Sequence, residues 1–132
     1  ISGPADRKPS KETQLHLCIY KHLPSVNAVV HVHPPFATAF TVESTGIPLV
    51  TSQARLKIGT IPIAKHADPG SAALVENIEE CIVNATSDVK AVLMSEHGLL
   101  AFDTCLSLAF DTADLIEETA HTALAINIIK HK

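Results

Sequence analysis

The segment Val29-Val30-His31-Val32-His33-Pro34-Pro35 limits what this chain can fold into more than any other stretch. A short valine-rich run favours an extended backbone, and side chains on a strand alternate faces, so His31 and His33 share one side while Val32 takes the other. Pro34 and Pro35 have no N–H to donate, which stops strand pairing just past the histidines. Two imidazoles at the open end of a strand suit a metal ion with a free coordination position, because catalytic zinc takes three protein ligands and leaves the fourth for water or substrate. The same pair also suits exposed or packed, hydrogen-bonded histidines, so a metal site needs a third ligand.

The rest of the chain alternates helical and extended patterns. Ser10 reads as a helix N-cap, with Leu15, Cys18, Ile19 and Leu23 at helical spacing before Pro24. Residues 28–33 form the strand, apolar enough for burial on both faces. Pro35 suits the first position of a helix through Ala37, Ala39 and Phe40 toward Glu43, ended by Gly46. Residues 47–50 and 58–64 are short β-rich runs, and Pro62 makes the second an edge or a bulged strand. Asp68 and Pro69 read as N-cap and first residue of a helix striped by Ala72, Val75, Ile78, Ile82 and Ala85. Residues 91–94 and 99–102 are strands joined through Ser95-Glu96-His97-Gly98, and from Asp103 or Thr104 one long amphipathic helix runs to the end. Residues 1–8 read as a loop. This alternation predicts an α/β layered domain.

With 132 residues, 46% of them hydrophobic, the chain is expected to form one domain, burying roughly two thirds of its unfolded surface. A net charge of -4 and a pI near 6.0 provide no basic stripe, so no nucleic-acid partner is expected. No apolar run approaches the ~20 residues of a membrane span, and Ile1-Ser2-Gly3-Pro4 lacks the layout of a signal peptide. A soluble cytoplasmic protein without membrane partners is the expectation. Cys18, Cys81 and Cys105 are odd in number and widely spaced in apolar surroundings, as reduced core thiols would be.

His97, beside Gly98 in the turn between two strands, is the natural third ligand for His31 and His33. His16, His22, His121 and His131 fall on helices where a solvated or satisfied ring is expected, and His66 follows a lysine in a loop. Glu12 opens the first helix, where the macrodipole favours a carboxylate whatever the function, so the residue pattern alone leaves it structural.

Taken together, Pro9-Ser10-Lys11-Glu12, then Leu15-His16 and Tyr20, then residues 28–39, and later Glu96-His97-Gly98-Leu99 resemble the class II aldolase/adducin family in order and spacing over essentially the whole chain. The resemblance implies that residues 1–132 are one class II aldolase-like domain lacking the family's usual N-terminal portion. Its fold would be a three-layer α/β/α sandwich with a central, mostly antiparallel sheet, assembled as a homotetramer. It further implies Zn2+, or another divalent cation, held by His31, His33 and His97, with Glu12 as the catalytic carboxylate and Ser10 and Lys11 contacting the substrate. The implied reaction is that of a zinc-dependent lyase, cleaving a C–C bond of a small phosphorylated sugar through a metal-stabilised enediolate. Lys11 replaces a serine of the aldolase branch and points toward decarboxylation of a 3-oxo sugar-acid phosphate. Ser52 stands where the aldolases carry a tyrosine, and the only tyrosine is Tyr20. A non-catalytic, adducin-like assembly module and a structural metal stay open beside the lyase.

Overall fold

The structure, a computed structural model, describes residues 8–43 and 45–131, so most of the expected loop over 1–8 lies outside the described residues. The elements are helix α1 Thr13–His22, strand β1 Ala28–Val32, helix α2 Pro35–Val42, helix α3 Ser52–Lys57 and strand β2 Ile63–Ala64. Helix α4 Ala72–Val83, strand β3 Ala91–Met94, strand β4 Gly98–Asp103 and helix α5 Leu106–Lys130 follow.

The strands form one sheet in the order β1-β4-β3-β2. β4 is the hub, antiparallel to β1 on one side and to β3 on the other, whereas β2 runs parallel to β3. The sheet is therefore mixed, which corrects the expectation of a mostly antiparallel one. The parallel pair arises because β3 and β2 are joined by a crossover through α4 and not by a hairpin.

Period two divides the sheet's side chains cleanly. Val29, Val92, Met94, Leu100 and Phe102 face one way and pack with Leu15 and Ile19 of α1 and with Leu74 and Ile78 of α4. Ala91, Leu93, Leu99 and Ala101 face the other way, against Ala37 of α2, Ala54 of α3 and Ala113, Ile116 and Ala120 of α5. Four consecutive buried residues in β3 reflect a strand covered on both sides.

Several local expectations are displaced. Ser10 does not cap α1; its hydroxyl accepts the Glu12 N–H at 3.2 Å one turn earlier, and Glu12 itself occupies the N-cap position. Helix α4 starts at Ser71, whose Oγ accepts the Leu74 N–H, while Asp68-Pro69-Gly70 makes the preceding turn with Gly70 at φ +79°. The run 47–50 forms no strand: Pro48 lacks an N–H, and its carbonyl accepts from Val50 at 2.9 Å in a tight turn. Ile58 closes α3, and Gly59 at φ +67° separates it from the short β2. Helix α3, unassigned from the sequence, is capped by Thr51, whose Oγ1 accepts the Ala54 N–H at 3.1 Å. Cys105 is exposed at the N-cap of α5, so it is not a core thiol; Cys18 is buried and Cys81 half-buried.

Candidate metal centre

His31 lies on β1 with its side chain on the face covered by α1, two residues on from Val29. His33 follows directly after β1 ends. Val32 pairs with Leu99, which brings the start of β4, and the His97 turn before it, beside His33. The start of α1 delivers Glu12 to the same point. One ligand atom from each of Glu12, His31, His33 and His97 lies within 4.8 Å of every other, a group of four drawn from three separated stretches of chain. The rings pack closely: His31 meets His33 edge-on at 4.7 Å between centroids and His97 edge-on at 5.2 Å, while His33 and His97 stack at 5.2 Å.

The hydrogen bonding of His31 carries the chemistry. Its Nδ1 lies 3.0 Å from the Leu99 carbonyl, which can only accept, so the ring proton is assigned to Nδ1. The lone pair of Nε2 then faces Glu12, with Oε2 at 2.6 Å in a geometry that makes no directed hydrogen bond. Two electron-rich atoms this close are stable only with positive charge beside them, a proton or a cation. Glu12 Oε1 also lies 3.5 Å from His97 Nε2, and His97 Nδ1 is buried without a partner. Burial, ahead of all other causes, lowers the His97 pKa from its ordinary value; Glu12 pulls it up, and His31, His33 and His66 push it down. His16 is lowered in the same way, first by burial and then by His31. Three imidazoles, one carboxylate and the buried, unpartnered nitrogens His31 Nε2 and His97 Nδ1 make a donor set that suits a divalent cation, and the burial of His97 favours its neutral, ligating form.

Two open clefts reach this cluster. One, of about 390 Å³, is lined by Ser10, Glu12, Thr13, His16 and His31; the other, of about 440 Å³, includes Lys11, Glu12, His33, His66 and His97. Ser10 therefore lines one approach to Glu12 and Lys11 the other. Ser52 lines neither cleft, and Tyr20 is exposed on α1. Of the remaining histidines, His22 pairs with Glu79 at 2.7 Å and His121 stacks on Phe36 at 4.2 Å.

Sequence reasoning missed three residues that build the site. Gly98 has to lack a side chain, since a Cβ there would meet the Val32 carbonyl oxygen at 2.5 Å and His33 Cδ2 at 2.8 Å. Thr41, fully buried on α2, accepts the Glu96 N–H at 2.9 Å. Glu117 of α5 accepts the N–H groups of Phe36 and Ala37 at 3.0 and 2.7 Å, holding the helix that begins right after the histidine pair. A histidine-flanked glycine was the one available signal; the other two are far away in sequence from what they hold.

Residues 1–124 match the family described as Class II Aldolase and Adducin N-terminal domain. The chain is 31% identical over 123 residues to the L-fuculose phosphate aldolase of Methanococcus maripaludis, covering 93% of this chain and 65% of that protein. It is 32% identical over 118 residues to the 3-oxo-tetronate 4-phosphate decarboxylase of Pectobacterium atrosepticum, covering 86% of this chain and 52% of that protein. The chain thus spans between half and two thirds of these relatives' lengths. Among solved structures, an L-fuculose 1-phosphate aldolase superposes with a TM-score of 0.83 at 26% identity, over 96% of this chain and 58% of that one. The match over nearly the whole chain, the shared fold and the clustered histidines lead to one conclusion: this chain belongs to the class II aldolase and adducin family.

Proposed function

We propose that this chain carries the metal centre of a lyase that cleaves a C–C bond of a small phosphorylated sugar by a retro-aldol step. The observation that carries the reading is the convergence of Glu12, His31, His33 and His97 within 4.8 Å. His31, His33 and His97 would hold Zn2+ or another divalent cation, which when bound supplies Lewis-acid polarisation of substrate oxygens.

The chain's own groups do the remaining work. The Leu99 carbonyl fixes the His31 tautomer so that Nε2 keeps its lone pair. Glu12 exchanges a proton at the substrate carbon next to the carbonyl. As the C–C bond breaks, the hydroxyl of the departing carbon gives up its proton and becomes the aldehyde, and the electron pair of the bond stays on the carbon next to the carbonyl. A proton is returned to that carbon from Glu12, so that none is gained or lost overall. Ser10 and Lys11, on the two cleft approaches, offer a hydroxyl and an ammonium to an anionic substrate group. Layers of helices on both faces of the sheet support the three-layer arrangement, with the sheet mixed, and a homotetramer remains part of the proposal.

A second reading, decarboxylation of a 3-oxo sugar-acid phosphate, is favoured by the likeness to the Pectobacterium enzyme and by Lys11 in the cleft beside Glu12. Zinc-loaded protein offered a ketose 1-phosphate and a 3-oxo acid phosphate in parallel separates the two. Aldehyde release supports the aldolase and CO2 release the decarboxylase. Neither product from protein that has bound zinc would refute both and leave an assembly module.

A further inference from the structure

We propose that Thr41 is a positioning residue for His97, locking the turn that carries this ligand onto the helix that continues from the other two. The proposal rests on the reading of Glu12, His31, His33 and His97 as a metal centre.

Thr41 is a fully buried polar side chain, near the end of α2, and it has no part in the chemistry. Its hydroxyl is used in both directions. It donates to the Thr38 carbonyl at 2.7 Å and accepts the Glu96 N–H at 2.9 Å. The Thr41 carbonyl is reached by Ser95 Oγ at 3.5 Å. Ser95 and Glu96 are the residues directly before His97, and Glu96 has φ +58°, the one described non-glycine residue in the left-handed region. A side chain rarely adopts that conformation without something holding it. The backbone N–H groups of Ser95 and His97 are held by the Ala64 and Met94 carbonyls at 3.0 and 3.1 Å, and Thr41 holds the N–H of Glu96 itself.

The consequence is geometric. Helix α2 starts at Pro35, two residues after His33, and its N-terminal N–H groups are gripped by Glu117. Thr41 joins the far end of this short, fixed helix to the β3–β4 turn. The His97 ring is thereby set against the His33 ring at 5.2 Å through a rigid eight-residue helix, in addition to the sheet ladder. Of the two links from α2 to the turn, the shorter one runs through a hydroxyl that can be removed at almost constant volume, while the Ser95 contact to the Thr41 carbonyl stays.

The test compares Thr41→Val, which deletes the hydroxyl, with Thr41→Ser, which keeps it, using Co2+ as the probe. Thr41→Val is expected to weaken Co2+ affinity by about 10- to 100-fold and to alter the visible ligand-field spectrum, as loss of an outer partner of a ligand does. Thr41→Ser is expected to restore both. A Thr41→Val protein with a lower melting temperature but unchanged Co2+ affinity and spectrum would overturn the proposal, since the hydroxyl would then serve stability alone. NMR of the metal-free proteins keeps this separate from the metal reading. Contacts between the His33 and His97 rings, and slow exchange of the Glu96 amide, should be lost in Thr41→Val and kept in Thr41→Ser. If wild-type protein binds no Co2+, the metal reading fails, and these ring contacts still decide Thr41: their persistence in Thr41→Val refutes its positioning role.

Discussion

At the scale of residues, the chemistry of the cluster turns on where protons can sit. With Nδ1 of His31 committed to the Leu99 carbonyl, Nε2 and the Glu12 carboxylate share a position that needs positive charge. Glu12→Gln removes the proton carrier at nearly constant shape, and is expected to lower turnover by about 100- to 10,000-fold while the metal content holds. Parallel activity and metal analyses check this. Gly98→Ala places a methyl carbon against the Val32 carbonyl and the His33 ring, and urea unfolding should show a loss of about 1–3 kcal/mol together with weaker metal binding. Cys105 gives a pH-dependent prediction. The Ser107 hydroxyl, followed by backbone N–H groups, holds this exposed thiol below its ordinary range, whereas burial raises Cys18 and Cys81. More thiolate is present at Cys105 at any given pH, so alkylation followed by peptide mapping should modify it first as pH rises. Much of the residue-level site was legible: period two put His31 and His33 together, and a turn histidine before a strand supplied His97. Glu12 was legible only through the family resemblance, because a helix-start carboxylate looks the same with or without a metal beside it. Thr41 and Glu117 could not be read at all, since each acts on a segment more than 50 residues away.

At the scale of elements, the short helix α2 matters out of proportion to its length. Eight residues cannot hold themselves as a helix in water, and its free N-terminal N–H groups are satisfied by Glu117 and its C-terminal region by the β3–β4 turn. Glu117→Ala leaves two N–H groups without their carboxylate and should cost about 1–3 kcal/mol in urea unfolding. Amide exchange at Phe36 and Ala37 should rise most. The strands β1, β3 and β4 and the helices α1, α2, α4 and α5 were legible within a few residues, because each carries a sustained apolar period. The failures share a cause. At residues 47–50 and 58–62, β-branched residues favour an extended backbone, yet Pro48, Gly59 and Pro62 remove the donors or impose the dihedrals that decide against a long strand.

At the scale of the whole molecule, the candidate metal centre sits where the two-sided sheet, the start of α1 and the α2 helix meet, so its geometry draws on both apolar cores. Leu100, fully buried on β4 in the core beneath α1 and α4, is paired with His31 across the sheet. Leu100→Ala should cost about 2–5 kcal/mol of stability in urea unfolding. The sheet's mixed character was not legible, because strand order depends on a crossover and not on any local pattern. Among the described residues no helix is long and apolar enough to cross a membrane. What most needs testing is that His31, His33 and His97, from two distant parts of the chain, hold one cation with Glu12 beside it. Titration of the metal-free protein with Zn2+, followed calorimetrically for wild type and for His31→Ala, His33→Ala and His97→Ala, tests it most directly. One ion is expected per wild-type chain and, in each variant, a loss of affinity beyond the roughly 10- to 100-fold caused by removing an outer partner. Wild-type protein that takes up no zinc, or three variants that bind it as wild type does, would contradict it.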